Sequence, residues 1–174
     1  MKIIEIDKVT YRKRSNIVII SFVACLAILA LVFGAILIQL FGTEPVSSSE
    51  STGNFHLNLM GVILSAVVSA SIMNHFKTHS FLTEIFYVWQ LKQIHNKIYR
   101  KVRKIKLASE EQNVTALIIL NFYYTTQKQV FWLDNNTLTM STVQKQLDEI
   151  QDKIKMWNLD ISLEDFDLKL LEQF

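Results

Sequence analysis

His75 and His79, four residues apart, are the pair whose type and spacing could do chemistry. On a continuous helix both imidazoles share one face and could hold a metal ion or, contributed by two subunits, a haem. Glu84 and His95 are possible further ligands. Against this, Lys77 lies between the two histidines, Ser80 signals a helix restart, and no cysteine or aspartate supports the cluster. The expectation is therefore of solvated or headgroup-facing histidines, with no metal and no cofactor implied. Phe122, Tyr123, Tyr124, Phe131 and Trp132 could stack a planar ligand, but aromatics at helical spacing are first of all core. No Ser/His/Asp arrangement or paired carboxylates can be argued, and Asp148, Glu149 and Asp152 read as the solvated face of a helix. No phosphate-binding loop, dinucleotide fingerprint or zinc-finger spacing occurs. The sequence thus offers no catalytic constellation, and the expectation is a non-enzymatic protein.

The next chemical feature is charge. Net charge is +2 over 174 residues, with very uneven blocks. Residues 1–16 carry net +3, residues 42–54 net −2, residues 75–106 net +7 and residues 107–174 net −6. Lys92, Lys97, Arg100, Lys101, Arg103 and Lys104 form the core of the basic block and suit contact with anionic lipid headgroups. A basic helix could also neutralise nucleic-acid phosphates; a membrane tether and the lack of a recognisable nucleic-acid fold argue against that partner. The third reading is internal, the acidic C-terminal part packing on the basic helix.

The elements that must position these residues start with the run Ile17–Phe41, which has no charged residue and no proline. At a rise of ~1.5 Å per residue it is long enough to cross a hydrocarbon core of ~30 Å. Arg12, Lys13 and Arg14 before it would hold the N-terminus in the cytoplasm. A cleaved signal peptide is the competing reading, but the run exceeds an h-region and no A-x-A site follows. Residues 42–54, serine-rich, with Pro45 and no base, read as a short external loop. Residues 55–76 are the return span. Gly61, Ser65 and Ser69 recur every four residues on it, and Ala30 with Gly34 offers a matching patch on the first span. Small residues let helices approach closely. The seam serves either the hairpin itself, an oligomer face, or the polar lining of a channel.

From residue 77 the chain is expected to be cytoplasmic. Ser80 would cap a long basic juxtamembrane helix over residues 81–108. Residues 114–133 form a helix that is apolar nearly all round in Ala116–Tyr124, and so central to the domain. Residues 134–137 are a turn. Ser141 with Gln144 is a candidate capping box for a helix to about Trp157, and Ser162 with Asp165 starts a last short helix to Leu171. No segment alternates long enough for a strand.

Several patches carry a resemblance. They are Glu5-Ile6-Asp7-Lys8 with Tyr11-Arg12-Lys13, Asn54-Phe55-His56-Leu57-Asn58-Leu59, Tyr87-Val88-Trp89-Gln90-Leu91-Lys92, Asn96-Lys97-Ile98-Tyr99-Arg100-Lys101 and Leu120-Asn121-Phe122-Tyr123-Tyr124. Over residues 5 to about 138 the chain resembles a family of small two-span proteobacterial inner-membrane proteins known only as a domain of unknown function. The resemblance implies a bacterial inner membrane and two spans, and no catalytic residues. The expected fold is an all-α membrane protein: a two-helix transmembrane hairpin followed by a helical cytoplasmic domain, both termini cytoplasmic. The expected role is a membrane-anchored interaction or assembly module, self-associating or bound to a membrane protein partner. The alternatives are a metal- or haem-binding redox protein using His75 and His79, and a small oligomeric channel.

Overall fold

A computed structural model of the chain describes residues 3–43 and 53–174, and every regular element among them is helical. Six α-helices follow one another: α1 (Lys8–Phe41), α2 (Phe55–Phe76), α3 (Thr83–Tyr99), α4 (Val102–Glu110), α5 (Val114–Leu133) and α6 (Met140–Met156). Two 3-10 turns close the chain, Leu163–Asp165 and Leu168–Gln173. The chain divides into two compact units, Lys13–Thr83 and a discontinuous one made of Met1–Arg12 with Glu84–Phe174. The external loop expected over residues 42–54 lies mostly outside the described residues, which leave out 44–52.

In the first unit α1 and α2 form an antiparallel pair. At one end Thr43 N–H donates to Asn54 Oδ1 (3.1 Å) and Asn54 Nδ2 donates to the Thr43 carbonyl (3.2 Å). Further along, Gly61 faces Gly34, and Ser69 Oγ lies 4.0 Å from Cys25 Sγ. Both helices are long and apolar enough to cross a membrane. Only 6% of the apolar window of α1 and 22% of that of α2 is buried, so neither behaves as the core helix of a soluble domain. α1 starts at Lys8, well before the apolar run, because Asp7 supplies an N-cap: its carboxylate accepts the Thr10 N–H at 2.7 Å. That hydrogen bond holds the Asp7 carboxyl below the usual carboxylate range.

The second unit is built round α5, which buries eleven residues including Leu117, Ile119, Leu120 and Phe122. This matches the all-round apolarity of its sequence. α3 contributes Tyr87, Val88, Leu91, Ile94, His95 and Ile98, and α6 contributes Val143, Leu147 and Ile150 at helical spacing. The Phe122 ring stacks on Phe166 with centroids 3.9 Å apart, tying the C-terminal turns to the core. α4, α5 and α6 stop alike. A left-handed residue (Gln112, Asn135, Asn158) is followed by an N–H that reaches back to Ala108, Phe131 or Ile154. That satisfies carbonyls the helix ends would orphan, and asparagine tolerates the left-handed conformation.

Four local expectations change. The single helix over 81–108 is two, because Arg100 and Lys101 form a turn between α3 and α4. No glycine or proline marks this break. Tertiary contacts accompany it: Lys101 Nζ donates to the Leu171 carbonyl (2.8 Å), and Ile105 beyond the turn is fully buried. Ser80 caps nothing, since α3 begins at Thr83. Ser141 and Gln144 form no capping box: α6 starts at Met140 and Gln144 donates to Asp148 instead. Ser162 with Asp165 is a true capping box, but it opens a three-residue 3-10 turn rather than a helix reaching Leu171. The N-terminal segment is a finding of another kind. Ile6 and Tyr11 are buried in the α3–α6 unit, Ile4 N–H donates to Tyr87 Oη (3.2 Å) and Gln129 Nε2 donates to the Ile4 carbonyl (2.7 Å).

Candidate functional site

The small-residue seam is consumed inside the hairpin. Gly61, Ser65 and Ser69 are buried. A Cβ on Gly61 would meet Gly34 N at 2.7 Å, Gly34 Cα at 2.9 Å and the Ala30 carbonyl at 3.3 Å, all backbone. The expected residues Ala30, Gly34 and Gly61 are thus brought together as a close crossing of α1 and α2. Ser65 Oγ donates to the Val62 carbonyl within its own helix (2.7 Å). Asn58, whose Oδ1 lies beside Gly34, was not singled out from the sequence; an asparagine three residues before the glycine was its signal.

The two histidines do not share a helix face. α2 ends at Phe76, so His75 lies in its last turn, edge-on to Phe76, while His79 sits in the following turn. His79 Nδ1 accepts the Phe81 N–H at 3.2 Å, which occupies a nitrogen that a metal would need. Among the described residues no three His, Cys, Asp or Glu side chains converge as a metal site.

The basic segment is divided by the α3–α4 turn. Lys92 forms an ion pair with Asp134 at 2.7 Å. Lys101 and Lys104 donate to the carbonyls of Leu171 and Phe174. Lys106 lies over the Tyr124 ring at 5.7 Å. The acidic C-terminal part therefore meets the basic segment through backbone oxygens more than through carboxylates. Asp148, Glu149 and Asp152 are exposed, the solvated face expected of them. Lys97, Arg100 and Arg103 are exposed, beside Tyr99 and Leu107, which are 68% and 62% exposed.

The polar cleft of this unit lies where α3 faces α5. Lys92, His95, Asn96 and Tyr99 line one wall of a hollow of about 390 Å³, and Tyr123, Gln127 and Phe131 the other. His95 is the buried polar centre of this wall. Its Nε2 lies 2.8 Å from Thr126 Oγ1, whose own proton is committed to the Phe122 carbonyl at 2.7 Å. The imidazole is therefore the Nε2–H donor, with Nδ1 unprotonated. Burial, helped by the Lys92 charge, pushes the His95 pKa down to about 4. Burial likewise raises Tyr123, and raises Tyr124 to about 12. At neutral pH the cleft thus holds a neutral imidazole, protonated phenols and an internally neutralised lysine. It can orient a polar group by hydrogen bonds. The aromatic set splits accordingly: Tyr123 and Phe131 line the cleft, Phe122 is core, and Trp132 lies under Lys8 Nζ at 5.1 Å.

Residues 1–171 match the family described as "Protein of unknown function (DUF3087)". The chain belongs to that family. No curated protein and no solved structure matches it. Membership agrees with the resemblance read from the sequence patches, and the match extends beyond residue 138 to take in the first 3-10 turn, Phe166 and the second turn as far as Leu171. For this DUF3087 member the C-terminal turns are thus part of the family unit, in keeping with the stacking of Phe166 on Phe122.

Proposed function

We propose that the protein is a membrane-anchored helical interaction or assembly module of the bacterial inner membrane. Its hairpin spans the bilayer twice and its soluble unit stands on the cytoplasmic side. One observation carries the reading: segments from before α1 and from after α2 build a single compact core. A chain that leaves that unit through one apolar helix must return through another, which supports an even number of crossings with both ends on one side. It also argues against α1 as a cleaved signal, since cleavage would strip Ile6 and Tyr11 from the core. The charge bias supports the cytoplasmic side: bases precede the apolar run of α1 and follow α2. The exposed Lys97, Arg100 and Arg103, with Tyr99, form the surface offered to anionic headgroups. The non-enzymatic reading rests on the cleft, whose ionisable groups are neutral or paired.

The test is gentle solubilisation of the tagged protein from its native membrane, followed by native mass spectrometry. A defined oligomer or a recurrent membrane protein partner, without cofactor, is the expected result. A monomer carrying stoichiometric metal or haem would overturn the reading. Reporter fusions at either end that place them on opposite sides of the membrane would overturn the topology.

A further inference from the structure

The two spans do not pack evenly along their length. They touch backbone to backbone at Gly34 and Gly61, while two or three turns away Cys25 and Ser69 meet only at their side-chain tips, 4.0 Å apart. Beyond that point the helices flank an open groove of about 430 Å³. Its walls include Ile17, Phe22 and Cys25 of α1 and Ile72 and Phe76 of α2, and Phe81 of the following turn closes one side. Leu82 of the same turn is buried, which fixes that wall in place. From Ile17 to Cys25 the hollow runs along eight residues of helix, ~12 Å at the helical rise, close to the depth of one leaflet's hydrocarbon.

We propose that this hollow is a seat for one acyl chain of an anionic phospholipid, with the headgroup held by the cations at its outer end. The inference rests on the membrane-spanning reading above and is separate from the exposed basic surface of the soluble unit. Charge complementarity names the occupant. Lys13 and Arg14 continue the groove-lining stripe of Ile17 and Val18 by one turn, at the three- and four-residue spacing of a helix face. The Arg14 guanidinium lies over the Phe81 ring at 5.5 Å, directly at the groove wall. Lys77 follows Phe76 at the end of α2, and His79 lines the hollow. An apolar groove flanked in sequence by Lys13, Arg14 and Lys77 matches a lipid with an anionic head.

The test uses the full chain, purified, delipidated and titrated in native mass spectrometry with phosphatidylglycerol or phosphatidylcholine of identical acyl chains. One phosphatidylglycerol per protomer is expected to survive activation, and phosphatidylcholine to be lost. Lys13→Gln and Lys77→Gln should each weaken retention about fivefold, the effect of one cation near a headgroup; Arg12 and Arg14 remain to hold topology. Ser21→Trp, which fills the slot from α1, should abolish retention while leaving the protein integral to the membrane. Equal retention of the two lipids, or retention unchanged by Ser21→Trp, overturns the seat. Carbonate extraction separates the two readings: an integral protein that holds no lipid refutes the seat alone, whereas release by carbonate refutes the spanning hairpin and the seat with it.

Discussion

Replacing Gly61 by alanine should force α1 and α2 apart, and replacing Gly34 should not. The difference is written in the atoms each new methyl would meet. At Gly61 they are Gly34 N at 2.7 Å, Gly34 Cα at 2.9 Å and the Ala30 carbonyl at 3.3 Å. Backbone cannot turn aside, so the axes must separate by several tenths of an ångström before contact becomes ordinary. At Gly34 the nearest atom is Asn58 Oδ1 at 2.9 Å, the tip of a rotatable side chain, and the next atoms lie at 4.0 Å. Overpacking of the first kind costs about 1–3 kcal/mol. In a bilayer no hydrophobic term between helices offsets it, because the lipid is as apolar as the partner helix. Cys25 is the only cysteine, which makes the assay direct. Ser69→Cys places a second thiol where Ser69 Oγ now lies 4.0 Å from Cys25 Sγ, within reach of a disulfide after a small rotation. Under mild oxidant the variant should form an intramolecular bond, seen as a faster-migrating monomer. Gly61→Ala should slow this bond, Gly61→Leu should slow it further, and Gly34→Ala should leave it nearly unchanged. Cross-linking only between chains, or equal rates in all three variants, would refute the intramolecular seam.

Other consequences concern the α3–α6 unit. His95 is held neutral with a pKa of about 4 against about 6.5 unfolded. The unfolded chain therefore binds the proton first, and the stability is full above pH 6.5 and lost as pH falls toward 4, ~3 kcal/mol in all. Tryptophan-monitored denaturation should show that loss, and His95→Gln should flatten it; an unaltered pH profile would refute the assignment. Phe122→Ala should cost about 3–5 kcal/mol, with Phe166→Ala strongly non-additive to it because the rings stack; simple additivity in a double-mutant cycle would count against the stack. Asn113→Ala should cost ~1 kcal/mol by removing the acceptor of the Ala116 N–H, while Thr115→Ala, at a position with no cap role, should not. Ile6→Ala should lower the stability of the α3–α6 unit by about 2–5 kcal/mol although it lies far from it in sequence.

Periodicity was enough to read the two long apolar helices and the central helix. α2 and α5 end where their apolar patterns end, and the asparagines at 135 and 158 mark left-handed stops. What stayed hidden was decided by contacts distant in the chain. The turn at Arg100 and Lys101 has no breaker residue, and a contact that accompanies it, Lys101 Nζ to the Leu171 carbonyl, joins residues seventy apart in the chain. Ser141 with Gln144 has the letters of a capping box, but Asp148 competes for the glutamine. Charge counts also suggested an electrostatic seam between the basic and acidic parts. Lys92 does pair with Asp134, but Lys101 and Lys104 reach backbone carbonyls, which no count of carboxylates reveals. At the candidate sites, the Gly34–Gly61 crossing was legible from small-residue spacing. His95 was not: one histidine on an apolar helix face says nothing of Thr126, thirty-one residues away, until the helices pack.

The burial of Ile6 and Tyr11 among residues that follow α2 gives biogenesis an order. The core of the α3–α6 unit spans a gap of some seventy residues in the chain, so under the proposed topology its last pieces would meet only after both apolar helices had been delivered to the bilayer. A chain that inserts α1 but fails to return through α2 strands its N-terminal segment across the membrane from α5, leaving apolar slots and the Tyr87 hydroxyl exposed. Under that topology, correct insertion would be recorded in the stability of the α3–α6 unit. A half-inserted chain presents an open core to whatever proteases patrol that side.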